Sequence, residues 1–133
     1  MLTEEQIENN KSRFTSLVLS ISREGMNTEA LMRQLEGSDF FHAPASTKYH
    51  QAYEGGLCEH CLNVYANLCT FNAAFELGFD EDSMKIVALF HDFSKMNYYV
   101  ADVKNKKVYC ESGKKHDSMG AYDWVSVLGY SVK

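Results

Sequence analysis

His91 and Asp92 stand side by side at the end of an apolar run, IVALFHDFSK over residues 86–95, with Lys95 one helical turn beyond His91. A second imidazole, His60, lies upstream in GGLCEHCLNVY. Imidazole nitrogen and carboxylate oxygen together suit first-row divalent ions, and three such donors leave positions for water and substrate. A lone histidine is more often a core or capping residue. His60, His91 and Asp92 in combination are therefore the candidate metal ligands.

These residues need helices to bring them together. After Gly55 and Gly56 the sequence predicts a helix from Leu57 to about Leu77, with His60, Val64, Leu68, Phe71 and Phe75 on one stripe. Gly78 closes it, and Asp80, Asp82 or Ser83 caps the next, whose Met84, Val87, Ala88 and His91 form a second inward stripe. Two helices joined by a short turn pack antiparallel. That puts His60, near the start of one, beside His91, near the end of the other.

Upstream, Thr3 and Gln6 read as a capping box before a helix carrying Ile7, Phe14, Leu17, Val18 and Ile21, which Gly25 ends. Asn27 or Thr28 caps a shorter helix with Leu31, Met32 and Leu35 inward. Residues 38–56 hold the only proline, Pro44, and four large aromatics (Phe40, Phe41, Tyr49, Tyr53), so an ordered loop packed over the helices is expected. Downstream, β-branched and aromatic residues on both sides of Lys104, Asn105 and Lys106 predict a small hairpin near residues 97–110. A last amphipathic helix is expected from about Asp117 to Leu128, with Met119, Tyr122, Trp124 and Val125 available for burial.

The 133 residues suffice for one domain, and a net charge of -5 argues against a protein that coats nucleic acid by bulk electrostatics. No apolar segment approaches a membrane span and the N-terminus is acidic, so a cytoplasmic protein is expected, its four cysteines reduced. Cys58 and Cys61 form a CxxC, but no second pair makes a zinc ribbon, and buried helical thiols are the better account. His116 and Asp117 repeat the dipeptide after a polar run and read as a loop and cap. Lys104, Lys106, Lys107, Lys114 and Lys115 make the tail locally basic; a solvated face is the ordinary meaning, attraction of a phosphate backbone the alternative.

YHQAYEGGLCEHCLNVY followed by IVALFHDFSK resembles the HD-domain metal-dependent phosphohydrolases, in particular bacterial exoribonucleases and phage and bacterial HD hydrolases. The likeness spans roughly residues 49–95. It implies a mainly α, HD-like helical bundle with the small hairpin appended, and His60, His91 and Asp92 as ligands of a divalent transition metal or magnesium. It further implies hydrolysis of a phosphomonoester or phosphodiester of a nucleotide or nucleic-acid end, with Asp92 and Lys95 catalytic. Lys95 would reach a substrate phosphate or a site carboxylate, a solvated helix end being the plain alternative, and His50 would contact substrate from the loop, a hydrogen bond within that loop being its ordinary role. The family's pattern closes on a later Asp, and Asp102, Asp117 and Asp123 each lack a ligand context. The expectation is a shortened domain over residues 1–133, lacking C-terminal helices and with an incomplete metal site, whose exposed apolar surface favours self-association. A non-catalytic HD-like binding module is the alternative.

Overall fold

The computed structural model describes residues 1–109 and 122–133, the side chains of Tyr122 and Asp123 excepted. Helix α1, Glu4–Leu19, begins at the expected capping box: Gln6 N donates to Thr3 Oγ1 at 3.1 Å and Thr3 N to Gln6 Oε1 at 2.8 Å. It buries Ile7, Phe14 and Val18 and stops at Leu19, several residues before Gly25. Helix α2, Thr28–Glu36, is capped by Asn27 and buries Met32 and Leu35. The following loop is core rather than cover, because Phe40, Phe41, Ala43, Pro44 and Ala45 are all buried. Phe40 is its centre, with its ring 4.9 Å from Phe14, 5.1 Å from Phe41 and 5.5 Å from Phe93.

Helix α3, Gly56–Ala74, starts where that loop folds back on itself. Gly55 N donates to His42 O, Leu57 N to Ala43 O and Ala45 N to Gln51 O. The approach demands glycine: a Cβ on Gly56 would lie 2.1 Å from Gln51 O, and Gly55 has φ +81°. Helix α3 ends three residues short of Leu77, since Glu76 and Gly78 take positive φ. Its buried face is Leu57, Cys58, Cys61, Leu62 and Tyr65, rotated from the expected stripe, so that Phe71 (55%) and Phe75 (68%) are exposed.

Helix α4, Glu81–Phe90, is capped by Asp80, whose carboxylate accepts from Ser83 N at 3.1 Å. It buries Met84, Lys85, Ala88 and Leu89, while Val87 of the expected stripe faces solvent. Lys85 covers its stem and gives its ammonium to Ser20 Oγ at 2.9 Å, which ties α4 to the end of α1. Tyr65 donates to Glu81 at 2.8 Å near the start of α4, and His60 meets His91 past its end, so α3 and α4 run antiparallel as expected. A 3-10 turn over Phe93–Lys95 follows.

The C-terminal part overturns the mainly helical expectation. Among the described residues the fold is a small mixed α/β arrangement of four helices and one two-stranded antiparallel sheet, not an all-α bundle. Strand β1, Tyr99–Tyr109, runs straight through Lys104, Asn105 and Lys106, where a turn was expected. Its partner is β2, Tyr122–Val132, which occupies part of the expected last helix. Within β2, Val125, Val127 and Val132 with Trp124 and Tyr130 favour an extended chain once a pairing strand exists. The rest of that expected helix, with Met119, lies outside the described residues, as do Cys110, Lys114, Lys115, His116 and Asp117.

The register pairs Tyr99 with Val132, Val103 with Leu128 and Lys107 with Trp124. The hairpin is fastened at its base, where Asn97 N donates to Asp39 Oδ1 at 2.6 Å and Asp39 N to Asn97 Oδ1 at 3.2 Å. Tyr99 donates to Ala45 O at 3.5 Å, and a cavity of about 320 Å³ lies between the hairpin and the loop, lined by His42, Glu54, Tyr99 and Tyr130 among others. Beyond that base Val103, Trp124 and Leu128 are exposed.

Candidate metal centre

His60 leaves α3 on the flank of its buried face, one position from the core residue Cys61. His91 is the C-cap of α4, and Asp92 follows before the 3-10 turn. The antiparallel pair thus delivers three donors to one point. His60 Nε2 is 3.3 Å from His91 Nε2 and 3.3 Å from Asp92 Oδ2, and His91 Nε2 is 3.4 Å from the same oxygen. The triangle is nearly equilateral. Bonds of about 2.0–2.1 Å to a tetrahedral ion put neighbouring donors about 3.3–3.4 Å apart, whereas octahedral magnesium at similar bond lengths draws them to about 2.9 Å. The donor separations thus match the edges of one face of a tetrahedral site.

The tautomer of His91 agrees with that use. Its Nδ1 lies 2.7 Å from Ala88 O, and a carbonyl only accepts, so the proton sits on Nδ1 and the Nε2 lone pair faces the triangle. Burial lowers the His60 pKa below its usual 6.5; Asp92 opposes the shift, while His91, His50 and Lys95 add to it. His60 is accordingly a neutral imidazole at neutral pH, the form that ligates.

Of its two expected contacts, Lys95 makes the one to a site carboxylate. Its ammonium donates to Asp92 Oδ2 at 3.1 Å and to Ala45 O at 2.8 Å, which occupies two of its three N–H groups. It is a brace between the carboxylate and the root of the aromatic loop. His50 lies on that loop, exposed, with its ring centroid 4.9 Å from that of His60. Asp102 is exposed on β1 and bonds to Val103 N, outside the donor group.

Further groups surround the triangle. Glu59, beside His60, receives the Tyr53 hydroxyl in a short hydrogen bond and Gln51 Nε2 at 3.2 Å, holding the loop to the first turn of α3. Burial, with the Glu59 bond and charge, pushes the Tyr53 phenol up to about 12. The Cys61 thiol is pushed up to about 12 by burial and by the Asp92 charge, and Cys58 goes higher for lack of solvent, so both are inert thiols. Glu59 stands in the sequence as a carboxylate directly before His60; the carbonyls of Ala45 and Ala88 have no sequence signal, since every residue has one.

Comparison with protein-family models, curated proteins and solved structures yields no match to this chain. Among the described residues no helix is long and apolar enough to cross a membrane.

Proposed function

We propose that this chain is a metal-dependent phosphohydrolase in which His60, His91 and Asp92 hold a divalent transition ion. The observation that carries the reading is the near-equilateral triangle of donor atoms, with edges of 3.3, 3.3 and 3.4 Å. It is supported by the His91 tautomer and by the resemblance of residues 49–95 to HD-domain phosphohydrolases. A bound divalent ion would lower the pKa of a water and polarise a phosphoryl oxygen. His60 and His91 supply neutral donors, Asp92 supplies the one negative charge, and Lys95 is a positioning residue that fixes the ligating carboxylate oxygen. The substrate class is a nucleotide or a nucleic-acid end, for which Lys104 and Lys106 on β1 offer positive charge. The setting is cytoplasmic, where Cys58, Cys61 and Cys69 stay free thiols.

The test begins with chelator-treated protein, titrated with zinc, cobalt and manganese and then given nucleotides and phosphodiesters. One ion per chain and turnover, both lost in His91→Ala and Asp92→Ala, are the expected results. Failure to bind any of the three ions sinks the reading. The binding-module alternative is favoured by the exposed Val103, Trp124 and Leu128 of the hairpin. Stoichiometric ion without turnover of any substrate would select it.

A further inference from the structure

The cavity of about 320 Å³ between the hairpin and the loop is lined by none of the three metal donors. Its volume is at the lower end of small-molecule sites. One wall is the base of the sheet, where Ala101 pairs with Tyr130 and Val103 with Leu128, so that Tyr99, Ala101, Leu128 and Tyr130 share one face of the ladder. The other wall is the loop, with Ala43 and Pro44 buried behind it. Gly55 N donates to His42 O and Leu57 N to Ala43 O, which fixes this second wall to the start of α3, while the Asn97 and Asp39 bonds fasten the first. Both walls are thus anchored before any ligand arrives.

The chemistry of the lining is one-sided. Among the described residues it has two carboxylates, Asp39 and Glu54, and two phenol rings, Tyr99 and Tyr130, with His42 as its one base and no lysine or arginine. His42 Nδ1 lies 3.1 Å from Glu54 Oε1, and a carboxylate only accepts, so the imidazole donates. Asp39 gives Oδ1 to Asn97 N at 2.6 Å. A carboxylate has two oxygens, and each of these anchors takes one. Burial, and after it the Glu54 charge, raises the Tyr130 phenol above its usual value, which keeps that ring neutral. An anion entering here meets two negative charges; a cation meets two carboxylates and two aromatic rings.

We propose that this cavity is a binding site for a small organic cation, an alkylamine or alkylguanidine, held by Glu54 and Asp39 and packed against Tyr99 and Tyr130. The N–H groups of such a ligand donate to the carboxylates, and its alkyl part covers Ala101 and Leu128. A ligand there bridges the loop and the hairpin, so it stiffens the attachment of the sheet to the helical body. The proposal stands or falls apart from the metal-dependent reading.

Agmatine and putrescine are the probes, titrated by calorimetry into metal-free protein at low salt, with inorganic phosphate as the anion control. One equivalent of either amine per chain is the expected result. Glu54 is exposed, and Glu54→Gln keeps an acceptor for His42 while removing the charge; affinity is expected to fall about tenfold or more. Tyr130→Leu keeps an apolar side chain but removes the ring, and about a threefold loss or more is expected. Thermal melting and circular dichroism check that each variant is folded, and His91→Ala is expected to bind as the wild type does. Failure of the wild type to bind either amine at millimolar concentration, unaltered affinity in either folded variant, loss of binding in His91→Ala, or tighter binding of phosphate than of the amines overturns the proposal.

Discussion

Lys95 shows how little a residue's type reveals about its role. In sequence it is a cation one turn past His91, fit to meet a phosphate or a carboxylate; in the fold it is engaged by Asp92 and the Ala45 carbonyl. Its removal acts in two opposed ways on ion affinity, because lost positive charge favours a cation while lost anchoring disfavours it. Stability is the cleaner readout. Lys95→Met strips the donor from a buried carbonyl and from a mostly covered carboxylate, and should cost about 1–3 kcal/mol in urea unfolding at neutral pH. The His60 shift makes a second prediction. Its folded pKa lies below 6.5, so as pH falls through 6.5 the unfolded chain takes up the proton first and the metal-free protein loses stability; above that pH the group contributes no slope. Cobalt release on acidification should likewise set in below 6.5, and a titration followed by absorbance and by thermal melting checks both. The meeting of His60, His91 and Asp92 was legible because two antiparallel helices joined by a short turn bring the start of one beside the end of the other.

At the level of elements, caps and glycines were the dependable signals. Thr3, Asn27 and Asp80 each cap the helix that follows, through local hydrogen bonds that a linear sequence encodes. The Gly55 and Gly56 pair marked the start of α3, and the structure gives the reason: the loop returns so closely that Gln51 O occupies the space of a Cβ on Gly56. Gly56→Ala should therefore destabilise by at least about 2 kcal/mol and release the His50 turn, seen as a lower melting temperature and faster proteolysis within residues 46–54. The strands were misread because pairing is not local. Lys104, Asn105 and Lys106 look like a turn until β2 is known, and the spacing of Met119, Tyr122 and Val125 imitates a helix until β1 is there to recruit the segment into a ladder. Likewise the inward faces of α3 and α4 were displaced, leaving Phe71, Phe75 and Val87 outside, because which neighbours cover a helix is a tertiary fact.

Across the whole molecule, the helical body places the centre and the hairpin extends from it, fastened at Asn97 and Asp39. Eleven paired residues per strand span about 36 Å at the usual rise, more than the length of α3. A two-stranded sheet has two outer edges, each with unpaired backbone groups able to recruit another strand. They differ in charge. The β1 edge belongs to a strand with Lys104, Lys106 and Lys107, which repels a second copy of itself, whereas β2 carries one charged residue in eleven, Asp123. Were a second copy to add to the sheet, β2 is the edge that would admit it, and two copies so joined would present lysine-bearing strands outward. Sedimentation should find a species of twice 15.1 kDa and no fibrils, with Val127→Lys restoring the single chain.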